Sequence, residues 1–200
     1  MRDDKRQARM REIEAVAYEL LAEQGYDGTS MLAVAKRARA SNETLYRWYG
    51  DKKGLFASMV RANADAVRAA LDHVEPAGLS PLDRLHRLAP VLLGMLLGER
   101  AISLNRAAAA DATGDLGRAI AEGGRESILP LLAGVMEEAV AAGEVVPPKV
   151  GDIAPLFMHL LVGDQQIRRV IGTLPAPGEA QIAAQARIAM AQFIALCAPC

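Results

Sequence analysis

Residues 29–53 read TSMLAVAKRARASNETLYRWYGDKK, and this stretch decides the fold. Thr29 and Ser30 precede a run in which Met31 or Leu32, Val34, Ala35 and Ala38 recur at helical spacing. A hydroxyl in that position accepts from the free N–H groups of a first helical turn. The run reaches about Arg37 and breaks at Arg39-Ala40. Ser41 is a second cap, and a short helix follows from Asn42 to about Trp48 until Gly50-Asp51 stops it. Ala35 suits a close helix crossing, and Leu45 and Tyr49, one turn apart, should face a core. Helix, tight turn, helix is a helix-turn-helix pattern.

Working outward, residues 5–24 carry Ala8, Ile13, Val16, Ala17, Leu20 and Leu21 at helical spacing, and Gly25 suits a C-terminal cap before a turn at Tyr26-Asp27-Gly28. Downstream, Lys52 starts a long helix with Leu55, Phe56, Met59, Val60, Ala66, Val67 and Leu71 on one side. Glu75–Gly78 reads as a linker. Ser80 then caps a fifth helix, with Pro81 at its first position and Asp83 in its first turn, and Pro90 should kink it. Further helices are expected at about 101–112, 115–122 and 125–142, with Gly123-Gly124 as a short break. After Gly143 and Pro147-Pro148, apolar stripes mark 150–171 (Ile153, Leu156, Phe157, Leu160, Leu161, Ile167, Val170, Ile171) and 179–197 (Ile182, Ala186, Ala189, Met190, Phe193, Ile194, Cys197).

The chain of 200 residues contains 38 alanines and only 4% aromatics, which favours helices over strands. The fold expected is all-α: an N-terminal three-helix unit carrying the helix-turn-helix, and a larger helical domain. The division read from the sequence is 1–52, a connecting long helix over 53–75, and 76–200.

Net charge is −1, which excludes only a uniformly basic protein. Residues 36–53 hold six basic side chains (Lys36, Arg37, Arg39, Arg47, Lys52, Lys53) against Glu43 and Asp51, so function through charge belongs there. The N-terminal sequence, Met1-Arg2-Asp3-Asp4-Lys5-Arg6, has no apolar signal run, and the longest apolar stretch, Leu88–Gly98, is too short to span a bilayer; a cytoplasmic location is expected. Cys197 and Cys200 form a terminal C-x-x-C without the βαβ context of a redox motif or a second ligand cluster for zinc. His73, His86 and His159 lack metal-ligand spacing. No phosphate-binding or nucleophile motif occurs, so no enzyme, cofactor or metal is expected.

A helix-turn-helix places its second helix in the major groove of DNA, which calls for small or polar residues at that helix's N-terminal end. Asn42, Glu43 and Thr44 meet that need. Asn42 can pair with an adenine edge, and Arg47 can read a guanine or hold a phosphate. Glu43 repels phosphates unless it accepts from a cytosine amine or faces solvent. Tyr46 and Lys52 are placed to grip phosphates, and Thr29 or Ser30 adds a helix N-terminus that favours anions. Trp48 reads as part core, part phosphate contact. Arg2, Lys5, Arg6 and Arg9 either touch the DNA backbone or form a solvated helix face, the second being preferred.

The block Gly25-Tyr26, Thr29-Ser30, Val34-Ala35, Ala38, Ser41, Thr44-Leu45-Tyr46-Arg47, Tyr49, Lys52, Leu55-Phe56 resembles the DNA-binding domain of the TetR/AcrR family of bacterial repressors. The resemblance implies an all-α homodimer on a palindromic operator, and a C-terminal domain that receives a small molecule and holds the dimer through its last two long helices. It makes Asn42, Glu43, Thr44, Tyr46, Arg47, Trp48 and Lys52 the DNA-facing candidates, with Ser41 as the cap of their helix. Two positions depart from the family pattern: Arg39 stands where glycine is usual and Ala40 where valine is usual.

The broad apolar stripes at about 150–171 and 179–197 suit a four-helix bundle between two subunits, with Ala183, Ala186 and Ala189–Ala191 allowing close approach. Met95, Leu96, Leu104, Asn105, Ala108, Met136, Phe157 and His159 fall on helices that could surround a largely apolar effector. Two other readings stay open: a DNA-binding dimer with no small-molecule response, and a helical protein-interaction module.

Overall fold

A computed structural model describes residues 2–73, 78–148 and 151–199, and among them every regular element is helical. The N-terminal elements are α1 (Arg2–Gly28), α2 (Met31–Arg37), α3 (Asn42–Tyr49) and α4 (Lys52–His73). They are followed by α5 (Pro81–Leu97), α6 (Glu99–Ala110), α7 (Asp115–Ile120), a π-helical turn (Ala121–Arg125) and α8 (Glu126–Ala141). The last three are α9 (Ile153–Val162), α10 (Gln165–Val170) and α11 (Glu179–Leu196). Among the described residues no single helix is long and apolar enough to cross a membrane.

Local chemistry sets most of these boundaries. Gly25 leaves helical geometry at φ 71°, ψ −177° and breaks the regular part of α1. Ser30, Ser41 and Ser80 sit in extended conformation, and each side chain accepts a backbone N–H three residues on, from Ala33, Thr44 and Asp83. Pro81 occupies the first turn of α5, where its missing N–H costs nothing. α5 then continues through Pro90 to Leu97.

The chain packs as two compact units. One comprises residues 1–62 and 103–124, the other residues 63–102 and 125–200. The segment 103–124 therefore belongs to the N-terminal unit by packing, in a stretch that a linear cut assigns to the second domain. The expected linker at Glu75–Gly78 lies, apart from Gly78, outside the described residues, as do Cys200 and the start of the 150–171 stretch.

In the first unit the core is built from Ile13, Ala17 and Leu20 of α1, Val34 and Ala35 of α2, Leu45 and Tyr49 of α3, and Leu55, Phe56 and Met59 of α4. Leu104, Ala107 and Leu116 join it. Met31 is the inward residue of its pair, at 5% exposure, while Leu32 is 64% exposed. In the second unit α5 and α11 pack together, with α8 against α5 and α9 against α11. Phe157 and Phe193 meet edge to face there, ring centroids 5.4 Å apart.

Two helix boundaries differ from the sequence reading. The stretch 150–171, expected as one long helix, is two short ones, because Gly163 (φ 52°) and Asp164 stop α9 before α10 begins. Gly163 N–H caps the carbonyl of His159 at 2.9 Å. Conversely, Gly123-Gly124 does not break the chain but lies within the π-helical turn that joins α7 to α8. A Cβ on Gly123 would stand 3.1 Å from Val60 Cγ1, so the glycine permits that turn to lie close to α4.

Candidate nucleic-acid interface

The turn between α2 and α3 sets the angle of the second helix. Arg39 takes φ 50° there, the left-handed region in which a non-glycine residue costs roughly 1–2 kcal/mol. Ala38 N–H and Ala40 N–H bond to Val34 and Ala35 carbonyls at 2.8 and 2.9 Å, closing α2. Arg9 reaches across from α1. Its Nη2 donates to the carbonyls of Ala38 (2.6 Å) and Arg39 (3.1 Å), and its Nη1 pairs with Glu12. The carbonyl groups of the left-handed residue and of the residue before it thus receive one guanidinium. The sequence reading prefers a solvated face for Arg9 over contact with the DNA backbone, and nothing local marks a partner 29 residues away.

α3 is oriented by Leu45 and Tyr49, which are buried. The Tyr49 hydroxyl donates to Met10 O at 3.4 Å, and burial pushes its phenol pKa upward. Ser41 Oγ accepts from Thr44 N–H at 3.0 Å and lies 2.8 Å from Thr44 Oγ1, so both hydroxyls are engaged in the cap. Asn42, Glu43 and Arg47 are exposed, and Tyr46 is 50% exposed. Thr44 and Trp48 are half-buried; Trp48 packs on the core, and Arg6 Cζ stands 5.7 Å from its ring centroid. The outward side of α3 therefore presents an amide, a carboxylate, a phenol and a guanidinium on a short helix held at both ends.

The remaining candidates divide. Ser30 caps α2 and is exposed, whereas Thr29 is 1% exposed and its hydroxyl donates to Gly25 O at 2.8 Å. Of the two hydroxyls offered for the helix N-terminus, Ser30 is the one in place. Lys52 is half-buried; its ammonium donates to Tyr26 O and sits 3.8 Å from the Tyr26 ring centroid. Burial lowers the pKa of Lys52, with Asp27 and Asp111 acting in the opposite sense. Lys53 pairs with Asp115, which also pairs with Arg118. Asp111 caps the α7 entry by accepting from Leu116 N–H at 2.9 Å and from the N–H and hydroxyl of Thr113 at 3.1 and 2.8 Å.

The eight residues expected around an effector are drawn from both units. Leu104 and Ala108 belong to the core of the first unit, and Asn105, half-buried, shares its helix. Met136 and Phe157 are fully buried in the core of the second unit, and Met95 and Leu96 are half-buried against that core. Asn63 Nδ2 lies 3.3 Å from Met95 Sδ. His159, two residues after Phe157, is on the exposed side of α9. A shallow groove lined by Leu20, Gln24, Ala33, Lys36 and Arg37 lies on the first unit. Among the described residues no group of His, Cys, Asp or Glu is placed to hold a metal ion.

Known proteins share this arrangement. Residues 13–59 match the family of bacterial regulatory proteins, tetR family, and residues 83–198, more than half of the chain, match the AefR-like transcriptional repressor C-terminal domain. The chain belongs to the TetR family. Members are transcription regulators that bind DNA, not enzymes. A solved TetR-family transcriptional regulator from Mesorhizobium loti is 27% identical, with 94% of this chain and 96% of that one covered and a TM-score of 0.74. A TetR regulator from Agrobacterium tumefaciens is also 27% identical, covers 94% of both chains and has a TM-score of 0.71. The flavonoid-responsive regulator FrrA is 28% identical over 96% of this chain and 98% of its own, at a TM-score of 0.68. No curated protein matches the sequence significantly.

Proposed function

We propose that this TetR-family chain is a ligand-responsive transcriptional repressor that binds a palindromic operator as a homodimer in the cytoplasm. The observation that carries the reading is the Ser41-capped α3, which presents Asn42, Glu43, Tyr46 and Arg47 to solvent while Leu45 and Tyr49 anchor it. Asn42 and Arg47 read base edges; Ser30, Thr44, Tyr46, Trp48 and Lys52 hold phosphates on either side of the groove. Two such helices enter successive major grooves about 34–36 Å apart. Residues 1–52 read DNA, 53–75 connect, and 76–200 sense and dimerise.

Exposed apolar side chains support the dimer. Ile167 and Ile171 at α10 and Ile188 and Leu196 on α11 are each more than half exposed, and pairing would cover them. A small, largely apolar effector that binds better to a different helix spacing shifts the population and releases the operator, by as much as its differential affinity. FrrA is described as flavonoid-responsive, which is in keeping with an effector of that general kind here.

A gel shift on the DNA upstream of the coding sequence tests the reading. Salt-sensitive binding that a scrambled duplex does not compete supports it. Lack of binding there and to a genomic fragment library overturns it in favour of a helical interaction module. A second reading, a DNA-binding dimer without small-molecule response, is favoured by the complete burial of Met136 and Phe157 in packed core. A thermal-shift screen in which no compound stabilises the protein selects that one.

A further inference from the structure

Glu43 is an exposed acid on a helix that meets a polyanion, and that placement calls for a reason. With Leu45 and Tyr49 buried, rotation by about 100° per residue sets Glu43 and Arg47 on the opposite, outward ridge of α3. They are four residues apart, neighbours along the helix, with Glu first, the order that favours an ion pair. Yet among the described residues neither side chain has a hydrogen-bond or ion-pair partner. Both are presented outward and unspent.

A carboxylate accepts hydrogen bonds and cannot donate them. In the major groove guanine shows only acceptors, and thymine an acceptor and a methyl group. Adenine has an amino donor, but its N7 acceptor lies beside it and repels a carboxylate. Cytosine has its 4-amino donor without a neighbouring acceptor of its own. Building on the proposed DNA-binding role, we infer that Glu43 is a specificity-determining residue that selects a cytosine at one fixed position of each operator half-site. Arg47, one helical turn on, supplies donors suited to guanine, so the two side chains read a G/C-containing step with opposite polarity. The same carboxylate disfavours every sequence that offers it no donor, and discrimination comes partly from repulsion.

The test is selection from a randomised duplex library with the full-length wild type, Glu43→Ala and Glu43→Gln, followed by titration of individual duplexes. Glu43 lies on the exposed side of α3, so both variants should fold; thermal melts check this. Wild type is expected to enrich sites with a near-invariant cytosine at one half-site position. Replacing that base by 2-pyrimidinone, which lacks the amino group, should weaken wild type by roughly fivefold to a hundredfold. Glu43→Ala should lose the preference at that position alone, and Glu43→Gln should move it from cytosine towards adenine, whose N6/N7 edge an amide matches. Unchanged preference in Glu43→Ala overturns the inference, as does a uniform gain in affinity for all sequences. Enrichment of no sequence by wild type overturns the DNA-binding reading itself.

Discussion

Arg9 Nη2 lies 3.1 Å from the carbonyl of Arg39, a hydrogen bond that joins the first helix to the one left-handed non-glycine residue among those described. The companion bond to Ala38 makes this a clamp on the turn that aims α3. Arg9→Ala is expected to lower unfolding free energy by about 1–2 kcal/mol, since the lost bonds are charge-assisted but partly exposed. Arg9→Lys should restore only part, because an ammonium lacks the fork. Denaturant titration measures it; stability equal to wild type in Arg9→Ala would show the clamp to be idle. Arg39→Gly is expected to stabilise by up to about 1 kcal/mol by relieving the left-handed conformation.

The two adjacent hydroxyls before α2 should separate by experiment. Thr29→Val removes a buried donor from the Gly25 carbonyl and should cost about 1 kcal/mol of stability while leaving DNA affinity of the folded protein unchanged. Ser30→Ala removes the helix cap, should cost about 1 kcal/mol, and should also weaken DNA binding. Equal affinity losses in both would count against the assignment of Ser30 to the interface.

Tyr46 and Asn42 differ in the kind of contact proposed for them. Tyr46→Ala should weaken binding to operator and scrambled duplexes alike, because a phosphate contact carries no sequence information. Asn42→Ala should relax preference at one base pair, by about 1–3 kcal/mol. Anisotropy titrations against single-base variants distinguish them, and parallel losses from both substitutions would refute this division of roles.

Acid should act through Asp111. Its carboxylate is held below the ordinary value of 3.8, chiefly by the Leu116 N–H bond and then by the Thr113 hydroxyl. A carboxyl depressed in the folded state contributes stability above its unfolded pKa, and that contribution fades as pH falls through the folded value. Asp111→Asn should therefore be less stable than wild type at pH 7, with the difference shrinking as pH drops below about 3.8. Melting curves across that range check the sign; a gap that widens in acid would contradict it.

What was legible in the sequence was local. Ser30, Ser41 and Ser80 announce their helices because a cap and the N–H it satisfies lie three residues apart. The candidate DNA face was readable for the same reason, as Leu45 and Tyr49 settle which side of a short helix turns out. The split of 150–171 escaped because apolar periodicity runs on across Gly163-Asp164, hiding a break that depends on one backbone conformation. The joining of Leu104 and Ala107 to the N-terminal core depends on contacts between distant parts of the chain, which spacing does not encode. Arg9 and Arg169 escaped likewise: a lone arginine in sequence carries no mark of the carbonyl groups it will meet.

Arg169 shows where that leads. It is 5% exposed, and its guanidinium donates from Nε to Leu97 O at 3.1 Å, from Nη1 to Leu174 O, and from Nη2 to Glu99. Gln166 Nε2, one turn earlier, takes Leu96 O at 3.1 Å. The carbonyl groups of Leu96 and Leu97 are thus satisfied by side chains from α10, while the backbone N–H of Gly98 takes that of Met95 at 3.3 Å. Part of what ends α5 is thus supplied from elsewhere in the chain, some seventy residues on. A substitution at Arg169 would then alter where that helix stops and how the corner into α6 is shaped, so an inherited change in α10 would surface as a different geometry at Leu97–Glu99.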